Sequence, residues 1–255
     1  MGASHLTGIS CTTAEECLAK AKNPSLFAKL REQNITQTKK DLTCAAGDDI
    51  VLVQGVQGLD ELNNIRNTLL VRLREWYGWY VPELVHQEKA AEAFVAAVIS
   101  GKQQTKMGIP VNQEDLARMQ ALAQHVQQLL LLCAEHEQYI IARMKTIAPN
   151  VSAVATPLLG AKLLVRAGSL KRLSRLPAST VQLLGAEKAL FRHMTTGAKN
   201  PKYGILYEHP LVQQAKAKGK AARVLADKIA IAARIDYFKG SFIGEQLLQE
   251  VKKKL

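Results

Sequence analysis

Cysteine is scarce and scattered in this chain. Cys11, Cys17, Cys44 and Cys133 form no Cys-x-x-Cys pair, and the six histidines do not gather around them. That spacing matches no common zinc or disulfide framework, and the thiols read as reduced packing residues. No run of about 18 apolar residues occurs, so no membrane span is expected. The opening MGASHLTGIS lacks a basic stretch followed by an apolar one, so no secretory signal is read, and residues 1–8 carry no weight in the fold. Catalytic patterns are missing too. There is no G-x-G-x-x-G after a strand, no G-x-x-x-x-G-K-[ST] and no His-Glu-x-x-His. His86, His125 and His136 fall on helical stretches without a second metal ligand at a suitable spacing. Catalytic residues, metals and cofactors are therefore all expected to be none.

Aromatics are also few, and four of the 13 crowd into Trp76, Tyr77, Trp79 and Tyr80. They are read as packing the place where Pro82 turns the chain, in preference to a stacking platform for RNA.

Against these absences stand an apolar content of 47% and a net charge of +12. The first makes the chain a folded protein. The second is unevenly placed. Residues 1–159 hold 15 Lys+Arg against 16 Asp+Glu, whereas residues 160–255 hold 19 against 6. A basic block on a neutral support reads as a nucleic-acid-binding module, the alternative being a solvated basic face kept for solubility.

Local patterning is mostly helical. Thr12 or Thr13 can cap a short helix through Lys20, and Pro24 suits the first turn of another through Gln33. Residues 34–47 are polar and give no clear signal. From Leu52 through Val56, Leu59, Leu62, Ile65, Leu69, Leu73 and Trp76 to Tyr80, apolar residues recur every three or four positions, which predicts one long helix ended by Pro82. Gly55 and Gly58 weaken its start by ~1 kcal/mol each relative to alanine. A further helix is expected over 83–99 and a turn over 101–110. Asn112 then caps a second long helix carrying Leu116, Met119, Leu122, Val126, Leu129, Cys133, Ile140, Met144 and Ile147, up to Pro149.

Two such helices fold back as an antiparallel coiled coil. Leu129–Leu132 are four leucines in a row, more than one face can hide. A second copy is the simplest cover, with Leu122, Val126, Leu129 and Cys133 in the dimer seam; coverage by the N- or C-terminal segment is the alternative. Shorter helices follow at 151–167, 169–175, 179–184, 186–195, 217–236 and 241–253, with Ser169 and Ser179 as N-caps. The helix at 217–236 has Val224, Leu225, Ile229, Ile231, Ala232 and Ile235 as its apolar side and Lys218, Lys220, Arg223, Lys228 and Arg234 as its polar residues.

Within the basic block, Lys188 and Arg192 stand four apart and share a helix face. Gly185 precedes them at a helix junction, whose backbone N–H groups near residues 186–188 would attract phosphate if open. The alternative is that Glu187 caps its own helix. Gln182 can both donate and accept, as reading a base edge requires. Thr196–Gly204, TGAKNPKYG, is a loop with Lys199 and Lys202 beside Asn200-Pro201. Cations next to splayed bases suit RNA, the alternative being a plain turn with solvated lysines.

Three blocks resemble the Nop family closely: RLREWYGWYVPEL at 72–84, the stretch from Lys145 to His193 containing PASTVQLLGAEKALFRH, and GKAARVLADKIAIAARIDYF at 219–238. With the helical spacer they cover about residues 47–238. The resemblance implies an all-α chain: a small N-terminal fibrillarin-docking domain (1–47), a coiled-coil dimerisation domain (48–148) and a helical Nop RNA-binding domain (149–255). It implies a non-catalytic scaffold of an archaeal box C/D ribonucleoprotein for guided RNA 2′-O-methylation. The implied partners are fibrillarin, box C/D guide RNA, a kink-turn-binding ribosomal-type protein and a second copy of the chain. The implied RNA contacts are Gln182, Lys188, Arg192, His193, Lys199, Lys202 and Arg223. The small size and the end at Val251–Leu255 favour the archaeal scaffold, hence a cytoplasmic location, over nucleolar or splicing relatives. A splicing-type assembly protein is the runner-up, and a nucleic-acid-modifying enzyme the alternative of another class.

Overall fold

The computed structural model describes residues 24–45, 47–101 and 106–255, and every described element is helical. The fold class is all-α. The helix expected over Thr12–Lys20, together with Cys11 and Cys17, lies outside the described residues. The first helix, α1 (Pro24–Ala45), does not stop at Gln33 as expected. No proline or glycine interrupts it, and the Gln37 side chain donates to Asp41 one turn on at 2.9 Å, so the polar stretch stays helical. Residues 1–47 and 48–255 form separate compact units.

The second unit begins with α2 (Asp48–Tyr80), which runs straight through Gly55 and Gly58. Its buried stripe is Leu52, Val56, Leu59, Leu73 and Tyr77. The predicted stripe drifts at both Ile65 and Trp76, which are exposed, and the seam continues from Leu73 to Tyr77 by a four-residue step. Pro82 does end the helix. The expected helix over 83–99 is two pieces, α3 (Pro82–Gln87) and α4 (Ala91–Ile99). The break is held from α2: the Arg74 guanidinium donates to the carbonyls of Glu88 and Lys89 at 2.9 and 3.0 Å and lies over the Phe94 ring. Its fork meets two adjacent carbonyls that a helix would have used internally.

Helix α5 (Gln113–Ile147) returns along α2, with Asn112 at its N-cap but no side-chain cap bond. Met119, Ala123, Val126, Cys133, Ile140 and Met144 are its buried line, close to the predicted one. Around Tyr77, Phe94 and Met119 the hairpin has its own core, where Tyr77 meets Tyr80 and Phe94 edge-on. The aromatic group thus divides. Tyr77 packs the junction as expected, whereas Trp76 and Trp79 are exposed.

Past Pro149 the chain forms α6 (Pro149–Ala155), α7 (Pro157–Ala167), α8 (Leu170–Arg175), α9 (Ala178–Leu183) and α10 (Glu187–Thr196). The expected single helix over 151–167 breaks at Thr156, whose φ of 70° precedes Pro157. Ser169 caps α8 as expected, accepting from the Arg172 N–H, but α9 starts at Ala178 behind Pro177, so Ser179 is inside it. A 3₁₀ turn (Ile205–Glu208) and the short α11 (Pro210–Gln214), neither foreseen, lead to α12 (Lys218–Tyr237) and α13 (Gly244–Lys254). Helix α12 is the axis of this module, burying Leu225, Ile229, Ala232 and their neighbours against α6, α8 and α9. Lys228, expected on the solvated side, is buried and bonds Glu250 of α13 at 2.5 Å. Asp236 is buried at the far end. It accepts from the backbone N–H of Asn150 and Val151 and from the Asn150 amide, so a carboxylate 86 residues away holds the first turn of α6. Burial pushes its carboxyl above the ordinary value, and those three donors limit the rise.

Candidate nucleic-acid interface

The site is built around the loop from Gly197 to Gly204, which joins α10 to the 3₁₀ turn. Two side chains tie it down. The Gln182 side-chain amide, at the end of α9, donates to the Lys202 carbonyl at 2.6 Å. The His193 ring, on the last turn of α10, shares a hydrogen bond with the Ala198 carbonyl. Backbone bonds close the frame: Gly204 N–H to the Gln182 carbonyl and Ile205 N–H to the Leu184 carbonyl, both at 2.9 Å. Only glycine fits at Gly204, where a Cβ would stand 1.8 Å from the Leu184 oxygen. Gly185 has a φ of 84°, and its Cβ would strike Ile205.

Held this way, the loop presents its cations outward. Lys199 and Lys202 are exposed, as are Lys188 and Arg192 on α10 and Arg223 on α12, and none of the five meets an acidic partner among the described residues. Lys202 is seated by α12. Its aliphatic stem lies in contact range of where a Cβ of Gly219 would be, the Lys202 Cβ at 3.4 Å, and Arg223 stands one turn beyond Gly219 on the same helix face. Tyr203 and Tyr207 stack beside it with ring centres 5.1 Å apart, and the Lys218 ammonium lies over the Tyr207 ring at 5.0 Å.

Three expectations change here. Gln182 and His193 are engaged in holding the loop, and a side-chain amide bonded to a carbonyl has less left to offer a base edge. The N–H groups just ahead of α10 are taken up as well. The Glu187 carboxylate takes the Gly185 N–H at 2.7 Å, and the Ala186 N–H bonds Leu183. Partial burial raises the Glu187 carboxyl, but the Gly185 and Glu187 N–H groups and the Arg166 charge outweigh it and bring it below the ordinary value. The Tyr203–Tyr207–Lys218 stack was missed, because its members come from three segments whose pairing no local pattern announces.

Helix α10 buries none of its residues, and Phe191 and Met194 are 64% and 70% exposed. On a helical wheel Phe191 flanks Lys188 and Met194 lies further round, away from Arg192, so one helix carries cations and apolar side chains on different sides.

The four expected seam residues of the coiled coil separate. Val126 and Cys133 are enclosed by this chain's own helices and close the intramolecular seam; this corrects their placement between copies. Leu122 and Leu129 are half-buried. The exposed apolar side chains on α5 are Leu131, Leu132 and Tyr139.

A helical module that turns cations without acidic partners outward on a braced loop has the surface chemistry of a polyanion-binding module. Comparison with known proteins bears on which one. The Nop family, described as a snoRNA-binding domain and fibrillarin, matches residues 85–255, and the chain belongs to that family. Nucleolar protein 58 of Schizosaccharomyces pombe is 40% identical over 215 residues, and its Saccharomyces cerevisiae counterpart 38%. Each alignment covers 74% of this chain and 42% of the relative, so the chain spans about two fifths of those proteins' length. A chain in the crystal structure of a fibrillarin/Nop5p complex superposes with a TM-score of 0.56 at 25% identity, covering 97% of this chain and 85% of that one. The relatives are nucleolar proteins by name, which overturns the expectation of a cytoplasmic location.

Proposed function

We propose that this chain is a non-catalytic scaffold of a box C/D ribonucleoprotein. It bridges fibrillarin to kink-turn guide RNA carried by a small ribosomal-type protein, for guided 2′-O-methylation. The observation that carries the reading is the braced loop and its unpaired cations, Lys188, Arg192, Lys199, Lys202 and Arg223, which would grip RNA phosphates. Family membership, the nucleolar relatives and the fibrillarin-containing neighbour support it. The identity to nucleolar relatives favours a nucleolar setting over an archaeal one, and a box C/D particle over a splicing-type assembly. Methyl transfer falls to fibrillarin, docked by residues 1–47. Residues 48–148 hold a second copy through the exposed leucines of α5, and residues 149–255 bind RNA.

Phosphate contacts alone give weak, salt-sensitive binding. Specific placement needs a composite face, and α10 supplies one, its cations toward RNA and Phe191 and Met194 toward the ribosomal-type protein. Binding to kink-turn RNA already carrying that protein should be at least about tenfold tighter than to bare RNA, a coupling of ~1.4 kcal/mol. Titration of both RNAs at near-physiological salt tests this, and equal affinities would leave only a nonspecific basic module. A chain shortened to begin near Asp48 should lose fibrillarin in a pull-down and keep RNA; retention of fibrillarin would count against the docking assignment.

A further inference from the structure

A second cationic surface lies past the loop site. Between α11, the link into α12 and the last turn of α13 is an open hollow of about 510 Å³. Lys216, Lys220 and Lys252 line it over a floor that includes Leu211 and Ala215, and no acidic side chain contributes. Two carboxylates on adjoining elements are already paired. Glu250 bonds Lys228 and Glu208 bonds Lys162. Asp227 lies seven residues beyond Lys220 along α12, about 10 Å by helical rise. Lys216 and Lys220 come from one lysine-rich stretch and Lys252 from the run at 252–254, and the fold brings the two stretches together.

We propose that this hollow is a second phosphate-binding surface, taking the backbone of an RNA strand that continues past the loop site. The proposal rests on the RNA-binding reading above and extends it to the flanking stem. Continuity favours RNA. Lys202 packs on Gly219, the next residue is Lys220, and Lys218 sits over Tyr207, so the first turn of α12 joins the two groups of cations into one tract. Half of the lining residues are polar or charged, Gln214 and the three lysines, which suits a phosphate backbone better than the apolar face of an acidic helix. Ammonium groups on flexible stems suit phosphates as point charges and read no base pattern, so the contact is independent of sequence.

The test is RNA binding by the full chain, using one kink-turn RNA with a short flanking stem and one extended by about a helical turn. Lys216→Gln/Lys220→Gln/Lys252→Gln is compared with Lys89→Gln/Lys145→Gln/Lys171→Gln, which removes the same charge from exposed sites elsewhere. The hollow variant should lose at least about tenfold on the extended RNA and under about twofold on the short one. Its log–log salt slope on the extended RNA should fall by about two to three, one unit per phosphate released. The control should lose equally and slightly on both. A loss no larger than the control's, or the same on both RNAs, overturns the proposal. So does unchanged RNA affinity when polyglutamate binding depends on the three lysines, since the surface would then serve an acidic protein. If the wild-type chain fails even on the short RNA, the RNA-binding reading itself falls, and this one with it.

Discussion

The Gln182 side-chain amide donates to the Lys202 carbonyl at 2.6 Å, across 20 residues of chain. This bond makes the orientation of a surface lysine depend on a residue in another helix. On the RNA-binding proposal, Gln182 would act through Lys202, as a positioning residue. Gln182→Leu should weaken RNA binding by ~1 kcal/mol, the net worth of one such bond. Its effect should largely vanish when Lys202 is already alanine. A double-mutant cycle on RNA affinity checks this, and additive losses would return Gln182 to direct contact.

Gly204 and Gly219 face the same loop with opposite tolerances. A Cβ at Gly204 would sit 1.8 Å from the Leu184 oxygen, which is backbone and cannot yield. Gly204→Ala should cost several kcal/mol and lower the melting temperature sharply. At Gly219 a Cβ meets the Lys202 stem at 3.4 Å, an ordinary contact. Gly219→Ala should leave stability unchanged or raise it by up to ~1 kcal/mol through helix propensity. Gly219→Leu should keep the fold but displace Lys202, seen as weaker RNA binding with an unchanged melting temperature.

The buried and the exposed apolar residues of α5 give a split outcome. Val126 is fully buried, whereas Leu131 is 61% exposed. A charge at Val126 has no water to meet and costs several kcal/mol, so Val126→Asp should unfold the hairpin. Leu131→Asp with Leu132→Asp should retain full helix content and sediment as a monomer. A dimer persisting in that double variant would place self-association elsewhere.

His209 links fold stability to pH. It caps α11, accepting from the Leu211 N–H, and is buried against the Val154 carbonyl. Burial brings its imidazole below the ordinary value near 6.5, and the Val154 contact only partly opposes this. As pH falls, the unfolded chain therefore takes up the proton before the folded one does. The stabilisation is present above pH 6.5 and is lost as pH drops below it, toward the folded-state value. Thermal unfolding from about pH 7.5 to 5.5 should show a falling melting temperature that flattens in His209→Gln, over the range where an ordinary histidine titrates. An unchanged slope in the variant would assign the effect to another group.

The sequence by itself determined the helices, their main breaks and the basic final third. These rest on near neighbours: apolar residues three or four apart, prolines at 82 and 149, and charges counted along the chain. Even there the local signal blurs where propensity is weak, as in α1 past Gln33 and at the 88–90 break held by Arg74. Only the tertiary structure decided what the side chains on those helices do. Lys228 turns inward to Glu250, Val126 and Cys133 close a seam within the chain, and Gln182 holds a loop in place of facing outward. Asp236 finds the start of α6 from 86 residues away. A buried polar group must find its partner wherever packing brings one, and that distance in sequence leaves no periodicity to read.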